Sequence, residues 1–131
     1  MDGLVIPPFL ARTACEPFIW GQNDCATWAA ALVAEATGKD LAAGFRGTYD
    51  TAFGCRRVIM QHGGLLELSR KMMSGFPSGE QENGVCVAKV RGRTMCGVLS
   101  GGRLFVKTEN GLFCPAEFTI LDGWSLTCRR H

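Results

Sequence analysis

The chain has 131 residues, 47% of them hydrophobic and 20% charged, which is enough for one core, so residues 1–131 are expected to form a single domain. A net charge of +2 gives no strong basic face, and no apolar run is long enough to cross a bilayer. Neither nucleic-acid binding nor membrane insertion is therefore expected. Met1 to Leu10 carries Asp2 and two prolines and lacks a basic start followed by an apolar run, so no export signal is expected, and folding in a reducing cytoplasm is.

Residues 1–23 read as an irregular entry segment, because Pro7, Pro8 and Pro17 interrupt a helix and Gly21-Gln22-Asn23 is turn-like. Phe18 and Trp20 are large apolar anchors before that turn. A helical half, residues 24–73, follows. Asn23 or Asp24 can cap a helix over 25–37, whose small or apolar residues Cys25, Trp28, Ala29, Leu32, Val33 and Ala36 fall on one face. Gly38 supplies its stop. Leu41 to Tyr49 reads as a loop pinned by Phe45 and Tyr49. Asp50 can cap a second helix ending near His62, before Gly63-Gly64, and Leu65 to Met73 reads as a third. Ser74 to Gly84 is a polar loop.

From residue 84 to 128 the pattern turns to short β-prone runs. Val85–Val90 and Thr94–Leu99 flank Arg91-Gly92-Arg93 and suggest a hairpin. Arg103–Lys107 follows Ser100-Gly101-Gly102. Asn110-Gly111 signals a two-residue turn before Leu112–Cys114, and a last run, Phe118–Cys128, is broken at Asp122-Gly123. Helices first and a meander of strands after them predict an α+β fold, with the helices packed on one side of an antiparallel sheet.

Seven cysteines, at 15, 25, 55, 86, 96, 114 and 128, are odd in number and contain no C-x-x-C pair, so neither a disulfide framework nor a zinc site is indicated. Their apolar neighbours suggest that most serve as small buried hydrophobes. No metal or other cofactor is expected. Trp20, Trp28 and Trp124 are read as core or interface anchors.

The run Pro17-Phe18-Ile19-Trp20-Gly21-Gln22-Asn23-Asp24-Cys25 places an aromatic, a glycine turn and Asp-Cys at the opening of an alanine-rich helix. It resembles the nucleophile segment of NlpC/P60 peptidases, which are papain-like. Gly44-Phe45-Arg46-Gly47-Thr48-Tyr49, followed by a helix ending in Gly63-Gly64, extends the resemblance to phage and prophage proteins encoded among tail genes. The resemblance implies a papain-like α+β domain with Cys25 as nucleophile, since a helix N-terminus favours the thiolate. It also implies a histidine at the start of the second strand, as base. Met95 stands at that expected position and cannot act as one. The two histidines are His62, at a helix end, and His131, the last residue.

Cys25 is therefore read either as a nucleophile or its remnant, or as a core residue on the Trp28/Leu32 face. Asp24 is read as the helix cap at the site, and Arg46 and Tyr49 as residues that fix their loop or meet a partner. The resemblance implies a structural virion protein of a phage tail tip, made in the host cytoplasm and contacting hub or distal-tail proteins. The alternatives are an active cysteine murein endopeptidase acting on peptidoglycan during envelope penetration, and a cytoplasmic tail-assembly factor.

Overall fold

A computed structural model describes residues 5–126. It is α+β: four helices, then five strands that make one antiparallel sheet. The helices are α1 (Ile6–Thr13), α2 (Cys25–Thr37), α3 (Ala52–Gln61) and α4 (Leu65–Met72). The strands are β1 (Gly84–Val90), β2 (Arg93–Ser100), β3 (Arg103–Thr108), β4 (Gly111–Phe113) and β5 (Thr119–Trp124).

The entry segment is not irregular throughout, because α1 occupies much of it. Pro7 and Pro8 sit in its first turn, where no intrahelical N–H is required and the fixed φ suits the helix. Helix α1 buries Ile6 and Phe9 against α2. The Phe9 and Trp28 rings lie 5.6 Å apart. Trp28 Nε1 donates to Thr13 Oγ1 at 2.9 Å, so the indole is buried without losing its hydrogen bond.

Helix α2 has the expected bounds, running from the Asp24 cap to Gly38 in the left-handed conformation. At α3 the cap is Thr51, whose side chain accepts from Gly54 N–H at 3.0 Å, and not Asp50. Both residue types can cap, and the backbone places Thr51 at the boundary. His62 is the C-cap residue of α3.

The tight turn at Arg91-Gly92 has positive φ at both residues, as a two-residue hairpin with right-twisted strands requires. In the β3–β4 hairpin Thr108 pairs with Gly111. The turn residues are therefore Glu109 and Asn110, and Gly111 opens the strand. The last run is not broken at Asp122-Gly123. Strand β5 passes through both and pairs with β1 across an irregularity at Val87/Ala88.

The sheet order is β4-β3-β2-β1-β5. The first four strands meander as expected, whereas β5 crosses to the far edge beside β1. Alternation sends Val85, Val87, Cys96, Val98 and Trp124 into a core with α1, α2 and α4. It sends Cys86, Ala88, Leu99, Leu104 and Val106 into a second buried cluster that the sequence reading did not separate. Gly97 makes room there, since a Cβ would lie 2.6 Å from Leu104 Cδ1. Burial pushes the Cys86 thiol up to about 12.

Among the cysteines, Cys55, Cys86 and Cys96 are buried as expected, while Cys15 and Cys114 are exposed and Cys25 is half-buried. Cys114 follows the short edge strand β4 and turns outward despite its apolar neighbours. Cys128 and His131 lie outside the described residues.

At Gly123 a Cβ would stand 2.2 Å from the Glu80 carbonyl oxygen, a backbone atom. Overpacking against rigid neighbours costs about 1–3 kcal/mol. Gly123→Ala is expected to lower unfolding free energy in urea by about 2 kcal/mol. Gly44→Ala, where no atom lies within 4 Å, is expected to change it by less than about 1 kcal/mol.

Candidate functional site

The site is built on the N-terminus of α2. Asp24 is 1% exposed, and its carboxylate gathers donors from three parts of the chain. Oδ1 accepts from Ala26 N–H at 3.1 Å, Thr27 N–H at 2.9 Å and Thr27 Oγ1 at 3.0 Å. Oδ2 accepts from Gly21 N–H at 2.9 Å and from the Tyr49 hydroxyl at 2.6 Å. Asp24 N–H in turn donates to Thr27 Oγ1 at 2.8 Å, closing a reciprocal capping box with threonine in the return role. Asp24 is thus the cap expected of it, and it also clamps the Gly21 turn and the 41–49 loop.

Both loop residues singled out from sequence fix that loop. Tyr49 does so through Asp24. Burial first, then the carboxylate it donates to, push its phenol well above the ordinary range, so it stays a donor. Arg46 makes a two-pronged ion pair with Asp40 at 3.0 and 3.1 Å. That pair holds the Asp40 carboxyl below its usual range. Gly21 is forced: its φ is +82°, and a Cβ would lie 1.9 Å from the Tyr49 carbonyl oxygen.

Cys25 is the first residue of α2 and is half-buried. The side chain that meets its sulfur is Cys96, not Met95. In β2 the residues alternate, so Cys96 faces the helices with Val98, while Met95 packs with the second core on the opposite face. The Cys25 thiol lies below the ordinary thiol range. The hydrogen bond with the Cys96 side chain is the largest cause, burial opposes it, and the Cys96 backbone reinforces it. Cys96 is raised well above that range, by the same bond and by burial. Ser69 Oγ lies 3.8 Å from Cys96 Sγ.

This contact has a cause in the sheet. Strands β2 and β3 pair only from Val98↔Phe105 to Ser100↔Arg103, although both continue beyond. Cys96 therefore lies outside that ladder, where its backbone can serve the Cys25 sulfur. A groove of about 750 Å³ opens there, with Cys25 and Asp24 in its lining. Arg93, Thr94 and Met95 of β2 line it, as do Lys107 to Asn110 of β3 and its turn. Trp20, expected as a core or interface anchor, is half-buried in the groove wall, edge-on to Phe18 at 4.8 Å. Its Nε1 donates to Glu109 at 3.2 Å. Trp28 and Trp124 are core residues.

Behind Cys25 lies a second space, an apolar cavity of about 110 Å³ lined by Ala26, Ala29, Ala30, Leu68, Ser69, Cys96 and neighbours. The alanines of α2 leave it unfilled. Lys107, fully buried, donates to the carbonyls of Thr13 and Glu16 at the end of α1, where a cation meets the negative end of the helix. The sequence alone gives Cys96 only the part of a small buried hydrophobe and gives Lys107 none. The signal for Cys96 was its two-residue spacing from Val98.

His62 takes no part at Cys25; its ring packs edge-on to Phe45 at 5.4 Å. It is the one histidine among the described residues. Among those residues no cluster of three or more His, Cys, Asp or Glu is placed to hold a metal ion. No helix among them is long and apolar enough to cross a membrane.

Fold and site together define an α+β domain with a capped cysteine at the start of its central helix, set in a groove. The family model described as Domain of unknown function (DUF6950) matches residues 5–126, and the chain belongs to that family. Neither the curated proteins nor the solved structures yield a match.

Asp24→Ala removes a cap and strands the half-buried Tyr49 hydroxyl and the buried Gly21 N–H, so a loss of about 3 kcal/mol is expected from those two costs. Tyr49→Phe, which removes one donor and keeps the cap, is expected to lose about 1 kcal/mol. Urea unfolding of the two variants checks both values.

Proposed function

We propose that the chain is a structural component of a phage tail tip, built on a degenerate NlpC/P60 (papain-like) domain. It would meet hub or distal-tail proteins without murein hydrolysis, nucleic-acid binding or membrane insertion. The observation that carries the reading is the group at the Cys25 sulfur. It is a second thiol, Cys96, where acyl transfer by a cysteine needs an imidazole or an equivalent base. His62, held against Phe45 at the end of α3, does not supply one. The groove, bordered by Phe18, Trp20, Arg93 and Glu109, combines the aromatic and charged groups that a protein partner uses.

The second reading, an active murein endopeptidase, draws on the low-lying Cys25 thiol at a helix N-terminus beside an open groove. One experiment separates the readings. Purified particles are analysed by mass spectrometry for the chain, and Cys25→Ser particles are assayed for infection. The structural reading expects the chain in the particle and full infectivity for the variant. Intact variant particles that no longer infect favour the peptidase. Particles that lack the chain favour the third reading, a cytoplasmic assembly factor.

A further inference from the structure

We propose that Cys25 and Cys96 form a redox-active dithiol, which a low-molecular-weight disulfide entering the groove converts to an intramolecular disulfide between α2 and β2. This goes beyond the structural reading above and does not rest on it.

Three observations place the pair. Cys25 packs against the buried cluster that holds Cys96, although the two are 71 residues apart in sequence. Cys25 lines the groove and is half-buried, whereas Cys96 is 8% exposed and lines the neighbouring apolar pocket with Ser69. An incoming reagent therefore meets Cys25 first and Cys96 afterwards. The two thiols are also displaced in opposite directions, Cys25 below the ordinary range and Cys96 above it, which agrees with the order in which a reagent reaches them. The thiolate is the attacking species, and exchange runs through a mixed disulfide.

The chemistry balances with the reagent as oxidant. The Cys25 thiolate attacks one sulfur of R–S–S–R, forming a Cys25–S–S–R bond and expelling RS⁻, which takes a proton. The Cys96 thiol then gives up its proton and attacks the Cys25 sulfur, and the second RS⁻ leaves as thiol. Two protein thiols are oxidised and one small disulfide is reduced to two thiols. Bond formation draws the two sulfurs together to the covalent distance of about 2.05 Å. Cys55 also lines the groove and burial raises its thiol, so it is the internal competitor.

The test treats the folded 131-residue chain with oxidised glutathione and maps linkages in unreduced peptides by mass spectrometry. The wild type is expected to lose the mass of two hydrogen atoms through a Cys25–Cys96 link. Cys96→Ala is expected to stop at glutathione on Cys25. Cys25→Ser is expected to leave Cys96 unmodified while exposed Cys15 and Cys114 still react. The wild-type map needs no variant to fold. A Cys25–Cys55 link, a wild type that keeps glutathione on Cys25 without closing, a wild type unmodified at Cys25, or glutathione on Cys96 in folded Cys25→Ser would each overturn the proposal.

Discussion

The Asp24 carboxylate is the constraint on which the site depends. A carboxylate that is 1% exposed is unfavourable unless hydrogen bonds replace its water, and here five do. They come from the turn before α2, the first turn of α2 and the loop after it. One charge therefore fixes where the chain enters the helix, how the helix starts and where the 41–49 loop lies. Cys25, the next residue, inherits its position from that network. Its place at the groove is a consequence of capping before it is a matter of chemistry.

The sheet supplies the other half of the site. Strands β2 and β3 part after Val98↔Phe105, and the parting leaves Cys96 outside the β2–β3 ladder where α2 begins. The same parting gives the groove its two walls. Lys107, beyond the break on β3, is buried against the carbonyls that end α1, which ties the entry helix to the diverging strand. Arg70 of α4 reaches Asp122 of β5 at 2.8 Å, linking the helices to the far edge of the sheet. The alanine face of α2 permits close approach and leaves the cavity behind Cys96.

The central helix was legible because its apolar spacing, its Asp24 start and its Gly38 stop all agree. The Arg91-Gly92 hairpin was legible because few residues tolerate positive φ at both turn positions. Helix α1 was hidden because Pro7 and Pro8 count as breakers unless the helix start is known. The path of β5 to the β1 edge is a long-range pairing that local pattern does not carry. The site turned on one residue of strand phase. Met95 and Cys96 are adjacent, period-two alternation puts them on opposite faces, and the apolar run around them conceals which faces Cys25. The resemblance points to Met95, whereas the register Val87↔Cys96 brings Cys96 to the face of Cys25.

Contact with Cys96 sets the behaviour of Cys25. The direct measurement is the pH dependence of Cys25 alkylation, followed at that peptide alone, in the wild type and in Cys96→Ala. A hydrogen bond to the thiolate favours the charged form and lowers the pKa, so removing the Cys96 side chain should move the profile of Cys25 to higher pH. The wild-type profile should lie below that of an ordinary cysteine. A wild-type profile at or above the ordinary range, or one that Cys96→Ala leaves in place, would contradict the account.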